Sequence, residues 1–100
     1  MKAKLLLKER RSVTLSSFME MVVWQVEQPV KGSLNDFKYS LAYVVDEVCV
    51  LRYDNEAGKG DHKHLGDNET PYEFTTTTQL VDDFLRDIEQ WRQNNEHRHD

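Results

Sequence analysis

From Phe37 to Asn55 the chain alternates with a period of two, and this constrains its fold more than any other feature. FKYSLAYVV sets Phe37, Tyr39, Leu41, Tyr43 and Val45 on one parity. Asp46-Glu47 interrupts, and VCVLRYDN resumes. Two adjacent segments of this kind predict a β-hairpin with one face turned to a core. Asp-Glu is a poor two-residue turn, because such turns favour residues at ease with positive φ. On the return strand, parity sets Val48, Val50, Arg52 and Asp54 against Cys49, Leu51, Tyr53 and Asn55.

Two further strands are expected before the hairpin. AKLLLKER places Ala3, Leu5 and Leu7 opposite Lys4, Leu6, Lys8 and Arg10, an apolar face and a mainly basic one that suits a sheet edge. SFMEMVVWQVEQP sets Met19, Met21 and Val23 against Glu20, Val22, Trp24 and Val26. Its β-branched and aromatic content favours a strand over a helix, and Pro29 ends it. Residues 54–70 read as a loop, and PYEF as a short extended piece leading out of it.

The period changes near the end. Leu80, Phe84, Ile88 and Trp91 recur at helical spacing, with Val81 and Leu85 beside them and Asp82, Asp83, Arg86, Asp87, Glu89 and Gln90 opposite. Thr76 with Gln79 reads as a capping box, and Asp82 and Asp83 as favourable charges near the helix N-terminus. The expected fold is α+β: a four- to five-stranded, mainly antiparallel sheet with one C-terminal helix packed on one face. It forms one domain over residues 1–95, with 96–100 a frayed tail. One helix covers one face only. Yet Val22, Trp24, Ala42 and Val44 are apolar on the second parity, so the sheet is expected to curl, dimerise or receive a partner.

Composition narrows the function. The single Cys49, in an apolar run, excludes an internal disulfide and a multi-cysteine zinc site, and is expected to be buried and inert. No apolar run reaches a membrane span, and the N-terminus lacks a signal-peptide core, so a cytoplasmic protein is expected. The formal net charge is −5. Residues 1–60 carry nine Lys/Arg against eight Asp/Glu, and residues 61–100 carry four against ten. Any phosphate contact should therefore come from the first part and the central loop.

That loop, RYDNEAGKGDHKHLGD over residues 52–67, holds the reactive groups. Gly58 and Gly60 allow backbone turns closed to other residues. Their spacing matches neither a dinucleotide fingerprint nor a P-loop. His62 and His64, one residue apart, point the same way if extended. Three readings stay open. The pair could bind a divalent metal with Asp54, Asp61 or Asp67 as third ligand. It could supply the base and acid for RNA cleavage through a 2′-hydroxyl. Or it could be structural. His97 and His99 are assigned no function.

Here the chain resembles the TumE family, small bacterial toxins of toxin–antitoxin pairs. The likeness rests on Tyr53, Asp54, Asn55, Gly58, Gly60, His62 and His64, supported by Tyr72-x-Phe74 and the helix with Leu80, Asp83, Phe84 and Asp87. The resemblance implies a cognate antitoxin as partner, a small winged-helix DNA-binding protein. The combined expectation is a toxin that cleaves RNA through the His-x-His loop. His62 and His64 form the acid–base pair, Asp54 orients a histidine, and Arg52 stabilises phosphate charge. Asn55, Lys59, Lys63 and Tyr53 contact substrate. The alternative is a non-enzymatic protein that dimerises or docks a partner on its sheet, with the loop as a recognition or metal-binding surface.

Overall fold

The computed structural model describes residues 3–56 and 58–95. Six strands precede one helix: β1 (Ala3–Thr14), β2 (Ser17–Val26), β3 (Phe37–Val45), β4 (Val48–Asp54), β5 (His62–Leu65), β6 (Asn68–Pro71) and α1 (Thr77–Asn95). The strands form one antiparallel meander in sequence order, so β1 and β6 are its edges and do not pair. Among the described residues no helix is long and apolar enough to cross a membrane.

The α+β architecture with its single helix agrees with expectation, but the sheet has six strands rather than four to five. The supposed loop over 54–70 contains the hairpin β5–β6, turned by Gly66-Asp67 with Gly66 at φ 60°. HKHL and NETP are short and polar on both faces, so neither shows the alternation that marks a strand. Of PYEF, only Pro71 lies in a strand.

The core lies between α1 and one face of the sheet. Met21, Val23, Leu41, Tyr43 and Leu51 meet Leu80, Phe84 and Ile88 there. The predicted hairpin forms at Asp46-Glu47, where both residues take positive φ, 50° and 69°. Asp46 N–H donates to Ser16 O at 2.9 Å, which helps hold this turn.

Two bulges rewrite the faces read from parity. The register slips between Leu5 and Leu7, so Leu5 opposes Trp24 on the open face while Leu7 opposes Val23 on the helix side. A second slip follows Tyr43 and carries Cys49 opposite Val44. Cys49 is therefore exposed, not buried, and Val50 packs toward the core instead. An extra residue reverses which face the following side chains take, and alternation alone does not locate it.

At the helix start, Gln79 N–H donates to Thr76 Oγ1 at 3.0 Å, the expected cap. The reciprocal half of the box is replaced: Gln79 Nε2 donates to Asp83 Oδ1 at 2.8 Å. Asp82 and Asp83 lie in the second turn, beyond the first-turn reach of the helix dipole. Asp83 and Asp87 also turn partly inward, accepting from Tyr72 and Tyr53. The expected frayed tail, with His97 and His99, lies outside the described residues.

Candidate active site

Strand register decides which polar groups meet. On the face opposite α1, Arg52 of β4 opposes His64 of β5, which opposes Glu69 of β6. One step along, Asp54 opposes His62, which opposes Pro71. The open face thus gathers Arg52, Asp54, His62, His64 and Glu69.

The start of β5 is fixed by the loop before it. Asp61 accepts from Ser33 Oγ at 2.5 Å, Asn35 Nδ2 at 2.8 Å and Tyr39 OH at 2.7 Å. Backbones also approach closely: a Cβ on Gly32 would lie 2.8 Å from both Gly58 O and Gly60 N. Asn55, with no exposed surface, accepts from Tyr39 N–H at 3.1 Å and donates to Phe37 O at 2.7 Å. The loop is thereby clamped to β3, and β5 enters the sheet in a set register.

The geometry centres on His62, which is 6% exposed. Its Nδ1 lies 2.8 Å from Gly60 O. A carbonyl only accepts, so Nδ1 carries the hydrogen. Its Nε2 then faces Asp54 Oδ1 at 2.8 Å and Glu69 Oε2 at 3.3 Å. His64 Nε2 reaches the same Glu69 oxygen at 3.4 Å. The two rings stand 5.0 Å apart and nearly perpendicular, at 77°. A lone pair on His62 Nε2 facing two carboxylates is repulsive, and a cation between them, a proton or a metal ion, relieves it. Ligand atoms of Asp54, His62 and His64 lie within 4.8 Å of one another, close enough to share one ion. The Gly60 carbonyl on Nδ1 fixes the orientation of the His62 ring, as such contacts do for imidazoles that hold an ion.

The other expected site residues divide. Arg52 is exposed on the open face, and Lys59 Nζ lies 3.7 Å from Glu69. Lys63 and Tyr53 do not join them, because β4 and β5 parity turns both toward α1. There Tyr53 OH donates to Asp87, and Lys63 Nζ sits 3.1 Å from the same carboxylate. Asn55 is a buried clamp and does not face substrate. Of the candidate third ligands, Asp54 is in place, Asp61 is held by its own partners, and Asp67 sits in the β5–β6 turn. Glu69 was missed in the sequence. Reading Gly66-Asp67 as a hairpin turn would have set Glu69 opposite His64.

Compared with known families, residues 2–92 match the family model described as Toxin TumE. No curated protein and no solved structure matches the chain.

Proposed function

The chain belongs to the TumE toxin family, and from this premise we propose that it acts by cleaving RNA at the Asp54–His62–His64–Glu69 centre with one divalent cation bound there. The observation that carries this reading is the convergence of both imidazole Nε2 atoms on Glu69, at 3.3 and 3.4 Å, beside Asp54.

The same convergence disfavours a histidine acid–base pair. In-line displacement at phosphorus puts the attacking and leaving oxygens on opposite sides. A base and an acid serving that reaction stand apart, with the phosphate between them. His62 and His64 instead aim at one point. Two imidazoles and two carboxylates form a donor set suited to zinc, manganese, iron or nickel. A bound cation of this kind supplies Lewis acidity and an activated water. The protein's own groups do the rest. Asp54 and Glu69 offset the ion's charge, Gly60 holds the His62 tautomer, and Arg52 and Lys59 offer positive charge to a phosphate at the rim. A cognate antitoxin, a small winged-helix DNA-binding protein, is the partner this reading carries.

The test is cleavage of a single-stranded RNA by purified protein, with EDTA and after return of Zn²⁺ or Mn²⁺. EDTA should abolish cleavage and a returned ion restore it. His64→Ala should lose more than the roughly 10–100-fold typical of a missing outer-shell partner. Cleavage that survives EDTA but is lost in His64→Ala would replace the cation with acid–base chemistry. No cleavage by metal-loaded wild-type protein would leave a toxin that acts by binding.

A further inference from the structure

The face that carries the centre continues across the whole sheet. One cross-strand row runs Lys8, Val22, Ser40, Asp54, His62. The neighbouring row on one side places Leu5, Trp24 and Lys38 together. On the other side Ala42 opposes Arg52, which opposes His64. Serine and alanine on β3 keep the middle of the face low between the larger side chains of β2 and β4. From β2 to β5 is three strand spacings, about 14 Å.

Charge on this face is available. Lys8, Lys38 and Arg52 are exposed, and among the described residues their side chains have no ion-pair partner. Arg10, by contrast, lies 4.1 Å over the Phe18 ring and 3.5 Å from Glu20, so it and Phe18 are engaged. Trp24 is half-buried in the sheet and meets no other ring among the described residues. The opposite side of the molecule is acidic: α1 holds Asp82, Asp83, Asp87 and Glu89 against Arg86 and Arg92. In a chain of net charge −5, Lys8, Lys38 and Arg52 thus set unpaired positive charge on the face that bears the candidate centre, while Lys4, also without an ion pair among the described residues, lies on the other side of β1.

We propose that this face is a track for single-stranded RNA, with Lys8, Lys38 and Arg52 on phosphates and Trp24 stacking a base, leading the strand to the His62–His64 centre. This rests on the RNA-cleaving reading and names the form of substrate. An aromatic flush with a sheet meets bases only when they are unstacked, as single strands offer them. A duplex keeps its bases stacked and presents backbone alone. The unpartnered cations also favour a polyanion over an apolar protein surface, which would bury Lys8 and Lys38 at a cost.

The experiment is fluorescence anisotropy with a labelled 12-nucleotide single-stranded RNA, in EDTA so that binding is read without cleavage. The proteins are wild type, Lys8→Glu/Lys38→Glu, Trp24→Ala, and Lys4→Glu on the other side of β1. Lys8→Glu/Lys38→Glu should weaken binding tenfold or more. It should also reduce the log–log salt slope by about 1.4, at roughly 0.7 per phosphate contact on single strands. Trp24→Ala should weaken binding with little change in that slope, while Lys4→Glu stays near wild type. Circular dichroism confirms folding, and the exposed lysine pair decides the matter if Trp24→Ala does not fold. Equal losses for Lys4→Glu and the lysine pair would overturn the track, as would wild-type binding by the lysine pair. No wild-type binding of single strands would also overturn it and leave the face to a protein partner. If the track binds RNA but metal-loaded protein leaves it intact, the track stands and the cleavage reading falls. If cleavage of dilute RNA is unchanged in the lysine pair, cleavage stands and the track falls.

Discussion

Asn55 illustrates how a residue chosen for its chemistry can serve the fold instead. Its amide satisfies Tyr39 N–H and Phe37 C=O where no water reaches. Asn55→Ala would strand both backbone groups, and should cost about 2–6 kcal/mol in urea denaturation, since each buried orphan costs roughly 1–3. The tyrosines set an alkaline limit. Burial first, then hydrogen bonds to Asp61 and Asp87, lift Tyr39 and Tyr53 far above the ordinary tyrosine value. Above about pH 10 the unfolded chain loses these protons and the folded chain keeps them. The folded state then binds more protons, so stability falls as pH rises. The folding constant should drop about tenfold per pH unit for each tyrosine. Thermal melts from pH 9 to 11 check this, and Tyr39→Phe should shallow the slope. Asp83 acts at the other end of the scale. Burial would raise it, but hydrogen bonds from Tyr72 and Gln79 and the nearby Arg86 hold it below the usual range. Its contribution is present above about pH 4 and is lost as pH falls through the lowered value.

At the scale of elements, the β3–β4 hairpin and α1 were legible because each writes one clean period over many residues. The hairpin turn carries a cost that sequence also signalled. Asp46 and Glu47 both hold positive φ, which Asn-Gly adopts with less strain. Asp46→Asn/Glu47→Gly should therefore stabilise the protein by about 1 kcal/mol, read as a raised melting temperature. Gly32 is the converse case. At φ 90°, with Gly58 O and Gly60 N 2.8 Å from any Cβ, Gly32→Ala should destabilise by more than about 2 kcal/mol. If the proposed cation binds at His62, the substitution should also weaken that binding, because the same loop sets Gly60 under His62. Hairpin β5–β6 was illegible because strands four residues long and polar on both faces carry no periodic signal. The residue missed there, Glu69, belongs to that hairpin.

For the molecule as a whole, the sheet is the platform and α1 its counterweight. The helix seals one face with Leu80, Phe84 and Ile88 and leaves the reactive groups on the other. On the proposed reading, a cation held by groups from three strands would bind the folded chain and not the unfolded one. Zn²⁺ at 100 times its dissociation constant should then raise stability by about 2.7 kcal/mol. Differential scanning fluorimetry should show the shift in wild type and its loss in His62→Ala/His64→Ala. Sequence by itself determined the first four strands, the helix with its Thr76 cap, and a His-x-His motif close behind Asp54. Those follow from local periodicity and spacing, which neighbouring residues impose on one another. Tertiary structure alone decided that His62 and His64 share a face with Arg52 and Asp54 while Lys63 and Tyr53 do not. It also brought Glu69 to the pair and exposed Cys49. Each of these depends on strand register and bulges, where one residue of slip exchanges the two faces of a sheet.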